Sequence, residues 1–149
     1  MSSIREIRAE ETYPLRKEEL RRNVTLSHEM QGDHDSDTLH LGLFEKGELV
    51  SIASFMKASL PDFEGRQYQL RGMATAEAYQ GKGFGRKLLR EAEKRLRNAG
   101  ADLLWCNARE VALDFYRKLG YEVLGPSFEV PEIGTHYRMF KRFDGEDQA

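Results

Sequence analysis

Gln80-Gly81-Lys82-Gly83-Phe84-Gly85 is the stretch on which the reading of this chain turns. Its glycines stand at alternate positions, between a strand-like run at 68–75 and a strongly amphipathic segment that starts near Gly85. Glycine adopts left-handed backbone angles at no steric cost, so a turn here can aim consecutive N–H groups into one cavity. A helix beginning directly afterwards adds its unpaired first-turn N–H groups and the positive end of its dipole. Together they form a cradle for a phosphate or pyrophosphate. The alternative is a turn that only joins strand to helix, and the loop alone does not separate the two.

Downstream, Phe84, Leu88, Leu89, Ala92 and Leu96 share one face of a helix over 84–99, with Gly100 as its stop. Arg86, Lys87, Lys94 and Arg95 are interleaved with Glu91 and Glu93, which predicts a solvated face with Glu91–Arg95 and Glu93–Arg97 pairs. An apolar strand is expected at 102–107. A second helix follows, from Arg109 or Glu110 to Leu119, with Ala112, Phe115, Tyr116 and Leu119 inward and Gly120 ending it. Strands at 121–124 and 137–143 close the chain around a loop at 125–136.

Upstream, Ile4 and Ile7 suggest a first strand, and residues 9–22 a helix weakened at Pro14. The polar segment 27–36 is expected to be a mobile loop. Its His28 and His34 lie among acids without fixed ligand spacing, so no metal site is read there. Residues 38–45 and 48–58 form a hairpin about Lys46-Gly47, with Leu39, Leu41 and Leu43 alternating. Residues 60–65 make another loop, and Gly72 within the strand at 68–75 suggests a bulge. The order is β-α-β-β-β-α-β-α-β-β: a mixed α/β domain with a mainly antiparallel start and a central parallel β-α-β unit.

A length of 149 residues predicts one domain, over 1–143, followed by a polar tail at 144–149. Net charge is −2 and the pI about 6.1, so no basic field points to nucleic acid. The single cysteine, Cys106, excludes an internal disulfide or a cysteine-built zinc site. No apolar run approaches the roughly 18 residues needed to span a bilayer, and the start does not read as a signal peptide. The cytoplasm is the expected compartment, with no membrane partner.

Gln80-x-x-Gly83-x-Gly85 resembles the Gln/Arg-x-x-Gly-x-Gly/Ala signature of the GNAT superfamily of acetyl-coenzyme A-dependent N-acetyltransferases. The likeness extends upstream to Met73-Ala74-Thr75. Downstream it reaches Phe115-Tyr116-Arg117-Lys118-Leu119-Gly120-Tyr121, similar to the family's tyrosine and Lys-Leu-Gly-aromatic signature. The order of elements agrees with that fold. A Rossmann or P-loop reading fits poorly, because the spacing is Gly-x-Gly-x-Gly and no Gly-Lys-Ser/Thr follows.

The resemblance implies that the N–H groups of Gly81, Lys82, Gly83, Phe84, Gly85 and Arg86 hold the pyrophosphate of acetyl-coenzyme A. Lys82 and Arg86 would add charge, and Gln80 would shape the loop or donate to a phosphate. Main-chain groups of Met73, Ala74 and Thr75 would run beside the pantetheine arm like an added strand. A bulge near Gly72 would free an N–H to polarise the thioester carbonyl. Tyr116 stands where many members carry the tyrosine that protonates the departing thiolate. Where many members have Asn, seven residues before this tyrosine, the chain has Arg109, with Asn107 two residues earlier. Either Asn107 or Arg109 could meet the pantetheine, or Arg109 could enter the acceptor pocket.

The general base is open at this stage. The strand position that carries a glutamate in some members reads Gln69-Leu70-Arg71-Gly72 here, and the candidates are Glu77, Glu110, Glu129, His40 and His136. His136 ends the loop expected to overhang the acceptor. Arg71, a cation in a central strand, would either form an internal salt bridge or face an anionic group on the acceptor. The leading expectation is acetyl transfer to the primary amine of a small molecule by direct attack in a ternary complex, without metal. Acetylation of a peptide or protein amine, and a non-catalytic coenzyme A sensor, are the alternatives. Family members often dimerise, so a homodimer is an option, although the sequence marks no interface.

Overall fold

The computed structural model describes residues 2–143, so the expected tail at 144–149 lies outside the described residues. Among the described residues, eight strands and three α-helices follow one another: β1 (Ser2–Glu6), α1 (Ala9–Leu15), β2 (Leu39–Glu45), β3 (Glu48–Lys57), β4 (Gln67–Thr75), α2 (Phe84–Asn98), β5 (Leu103–Arg109), α3 (Leu113–Lys118), β6 (Glu122–Val123), β7 (Phe128–Val130) and β8 (Gly134–Arg142). They form one sheet in the order β1-β2-β3-β4-β5-β8-β6, with β7 paired to β8. Among these pairings only β4–β5 is parallel. A parallel pair needs a crossover, and α2 supplies it.

Helix α2 lies where its apolar stripe dictates. Leu88, Leu89, Ala92 and Leu96 are buried against Leu41, Phe55, Leu70, Leu104 and Met139 of the sheet. Each fully buried leucine of this kind contributes about 1.5–3 kcal/mol, so this face outweighs any propensity term in the helix. A second apolar cluster, Ile7, Ile52 and Ala74, takes Leu15 and Leu20 from the N-terminal helical segment.

Several expectations need correction. The helix expected over 9–22 ends at Leu15 and widens into a π-helical turn, Arg16–Leu20. Pro14 sits just before this change, and such widened turns recur at functional sites. The segment expected to be a mobile loop is pinned: Met30 and Asp33 are buried, and Asp33 is held by Arg16. β5 runs on to Arg109, followed by a 3-10 turn, Glu110–Ala112, so α3 starts later than expected. The loop expected at 125–136 contains β7 and the start of β8, a short hairpin.

Glu93, expected on the solvated face of α2, is only 4% exposed. Its carboxylate accepts from Tyr121 Oη at 2.7 Å and from Lys141 Nζ at 3.0 Å. The periodicity of α2 did not reveal this, because the partners come from β8 and from the chain just after α3. The bulge predicted at Gly72 is present. Ile52 pairs with Ala74 and Ser54 with Arg71, so Gly72 and Met73 together face Ala53, and Gly72 has φ +63°.

Candidate active site

Strands β4 and β5 pair only from Gln67–Leu103 to Leu70–Cys106, yet β4 continues to Thr75 and β5 to Arg109. Beyond Leu70 the two strands part, and the facing edge of β4 is left without a β5 partner. Two cavities open in this wedge. One, of about 630 Å³, is lined by Met73, Ala74 and Thr75, by the Gln80–Arg86 region and by Phe115 and Tyr116. The other, of about 290 Å³, lies between Arg71, Met73, Asn107, Arg109 and His136. Met73, Val111, Ala112, Leu20 and Tyr116 line both, so the two meet at Tyr116.

The glycine loop has the backbone its sequence demands. Gly81 and Gly83 have φ of +76° and +84°, and a Cβ at either would meet nothing within 4 Å. The space beside them is free for a ligand, and only their backbone angles require glycine. Lys87 N–H donates to Gly83 O as the first helical bond, so the N–H groups of Phe84, Gly85 and Arg86 precede the helical ladder. Gln80 shapes this loop from its root. Its amide nitrogen donates to Thr75 O at 2.9 Å and to Glu19 Oε1 at 3.3 Å, and Glu19 Oε2 accepts from Glu77 N–H. Arg86 lines the larger cavity, whereas exposed Lys82 does not.

Tyr116 is 7% exposed, and its hydroxyl reaches only Met73 Sδ, a weak acceptor at 3.7 Å. Phe115 and Tyr121 meet the ring edge-on at 5.1 and 5.6 Å between centroids. Burial, with a smaller contribution from Cys106, holds the phenol well above the ordinary tyrosine range. The group is therefore a neutral acid with an uncommitted proton.

In the smaller cavity, His136 Nδ1 lies 2.9 Å from Gly134 O. A carbonyl only accepts, so Nδ1 carries a proton, and in the neutral tautomer the lone pair lies on Nε2. Arg71, Arg109 and a residue that sequence reasoning missed, Arg21, share this cavity. Burial pulls all three guanidinium groups below the usual arginine range; Arg109, Arg71 and Arg16 lower Arg21 further. Arg21 lies just past the π-helical turn, and nothing in its local sequence marks it. Asn107 also lines this cavity rather than the larger one, and its Oδ1 already accepts from Arg138 Nε at 3.1 Å. His40 is engaged in structural bonds: Nε2 donates to Asp33 O at 2.8 Å and Nδ1 shares a hydrogen bond with Ser54 Oγ at 2.7 Å.

A buried ion pair packs beside the bulge. Arg16 is fully buried and donates to both oxygens of Asp33, at 2.8 and 3.0 Å, to Ser54 Oγ and to His28 O. Burial raises the Asp33 carboxyl, but the bonds from Arg16 and Met30 N–H, with the charges of Arg16 and His40, bring it below its ordinary value. A Cβ at Gly72 would stand 3.1 Å from Arg16 Nε, so glycine also makes room for this pair. Across the mouth, Thr25 N–H and Oγ1 donate to Glu132 and tie the chain after the π-helical turn to the β7–β8 hairpin. Among the described residues, no cluster of metal-ligating side chains occurs and no helix is long and apolar enough to cross a membrane.

Comparison with known proteins agrees with this geometry. Residues 1–121 match the family described as acetyltransferase (GNAT) family. The chain is 40% identical over 143 residues to YitI, an uncharacterised N-acetyltransferase of Bacillus subtilis strain 168, covering 95% of this chain and 96% of the relative. Escherichia coli ElaA has a similar structure, with a TM-score of 0.78 at 18% identity over 95% of this chain and 100% of that one. An aminoglycoside 6′-N-acetyltransferase complexed with coenzyme A gives 0.75 at 14% identity, over 94% and 96%.

Proposed function

The chain belongs to the GNAT acetyltransferase family, and on that premise we propose that it moves acetyl from acetyl-coenzyme A to the primary amine of a small molecule. The observation that carries this reading is the meeting of the two cavities at an uncommitted, neutral Tyr116. The larger cavity suits the donor. Backbone N–H groups of Gly81, Lys82, Gly83, Phe84, Gly85 and Arg86 take the pyrophosphate, with charge from Arg86. The unpaired edge at Met73, Ala74 and Thr75 takes the pantetheine. The smaller cavity then receives the acceptor, within a single catalytic domain over 1–143.

In the proposed step the amine nitrogen attacks the thioester carbon directly in a ternary complex. A C–N bond forms and the C–S bond breaks. The bulge at Gly72-Met73 aims an N–H at the carbonyl oxygen as it gains charge. His136 Nε2 takes the proton that the amine sheds, and Tyr116 gives its proton to the thiolate of coenzyme A. Both residues return to their starting state through solvent. The small size of the acceptor cavity favours a small molecule over a protein lysine.

Thiol release from acetyl-coenzyme A, followed with chemically distinct amines, tests the reading. Turnover with one class of amine supports it. Tight coenzyme A binding without thiol release for every acceptor would instead support a sensor.

A further inference from the structure

The smaller cavity has an unusual charge balance. Among the described residues, Arg21, Arg71 and Arg109 line it, and no aspartate or glutamate does. Arg21 bonds only carbonyls, Ser27 O at 2.9 Å and Leu20 O at 3.2 Å, and Arg109 likewise bonds Leu20 O at 3.0 Å. Among the described residues none of the three forms an ion pair, and Arg71 makes no hydrogen bond through its side chain. Asp33, the carboxylate whose charge reaches Arg71, is already paired with Arg16 through both oxygens.

Partly desolvated cations without a counter-charge are costly, and a fold keeps them together where a ligand supplies the charge. A guanidinium has five N–H donors in a fixed fork, matched to carboxylate or phosphate oxygens. One or two bonds to carbonyls leave most of these donors available. An ammonium entering this field alone would be repelled.

We propose that the acceptor carries an oxyanion, a carboxylate or phosphate, close to its amine, and that Arg21, Arg71 and Arg109 bind it. This rests on the acetyl-transfer reading of the same cavity. The anion offsets part of the positive field. What remains disfavours the ammonium over the free amine, which is the nucleophilic form, and so shares the task of deprotonation with His136. A volume of about 290 Å³ suits an acceptor of roughly the size of an amino acid or a small amino phosphate.

Matched pairs test the inference in the full chain with acetyl-coenzyme A: glycine against glycinamide, phenylalanine against its amide, phosphoethanolamine against ethanolamine, and glucosamine 6-phosphate against glucosamine. The anionic member of at least one pair should have the higher kcat/KM by about tenfold or more. This is a demanding outcome for the amino acids, since the amides are the less basic amines. Whether the carboxylate or the phosphate pairs respond identifies the oxyanion. Arg71→Gln and Arg109→Gln should each lower that kcat/KM by about 10- to 100-fold, mainly through KM, with coenzyme A affinity by calorimetry as the check on folding.

Neutral members that match or exceed the anionic ones throughout would overturn the inference, as would an equal loss on both members in the arginine variants. If coenzyme A binds but no pair turns over, calorimetry of the same pairs on the coenzyme A-saturated protein decides, and failure of every anionic member to bind overturns it. Failure of the wild-type chain to bind coenzyme A would refute the acetyl-transfer reading itself.

Discussion

The hydroxyl of Tyr116 and the thioether sulfur of Met73 stand 3.7 Å apart, α3 against the bulged strand β4, at the junction of the two cavities. A thioether is too weak an acceptor to commit the proton, so the hydroxyl is free for a stronger one. Tyr116→Phe should lower kcat by about 10²–10⁴ while coenzyme A affinity stays within a few-fold. Stopped-time thiol release and calorimetry separate the two quantities. Unchanged turnover would remove Tyr116 from the mechanism.

Gly72 needs both its φ of +63° and its missing Cβ, which would lie 3.1 Å from Arg16 Nε. Gly72→Ala should cost about 1–3 kcal/mol through backbone strain, visible as a lower urea midpoint. Because the bulge aims the proposed oxyanion N–H, kcat should fall at least about tenfold even where the variant is fully folded. A stable variant with full activity would show that the bulge is not part of the site.

Lys141, 8% exposed, gives Nζ to Glu93 Oε1 at 3.0 Å and to Leu119 O at 2.9 Å. Lys141→Met strands the Glu93 carboxylate, leaving Tyr121 and a longer approach from Arg90 at 3.7 Å. We expect a loss of about 3 kcal/mol in chemical denaturation. The Glu93→Leu/Lys141→Met double variant should recover much of it, because both charges are then gone. A double variant less stable than the single one would mean that the pair is net stabilising.

Burial pushes the Cys106 thiol up to about 12. At pH 8 roughly one molecule in ten thousand then carries the thiolate, against about a quarter for an ordinary cysteine near 8.5. Reaction with a chromogenic disulfide should be about a thousandfold slower in the native protein than in urea. Deprotonation rises with pH, so the native rate should climb about tenfold per pH unit from 8 to 10. A rate that levels off near pH 9 would contradict the burial.

Much of the frame was legible in the sequence because each signal is local. The stripe of Leu88, Leu89, Ala92 and Leu96 places α2 against the sheet whatever its neighbours are. Gly81, Gly83 and Gly72 permit a tight turn or a bulge by residue type, and all three have positive φ, whereas Gly85 of the same loop does not. The helix start after Gly83 follows from the same residues. Arg21, by contrast, reads as one more exposed cation near a helix end. The Glu93–Lys141 pair joins residues 48 positions apart, and no periodicity encodes such a partner.

The sequence by itself determined the α/β order apart from β7, the glycine turn before α2 and the place of the tyrosine on α3, since each depends on residues within a few positions of one another. The tertiary structure alone decided that β4 and β5 part after Leu70 and Cys106, and that Arg21, Arg71, Arg109 and His136 converge in one cavity. That convergence depends on where separate elements pack on the sheet. Burial then decides how much each charge is worth, because desolvation acts only once the surrounding segments are in place.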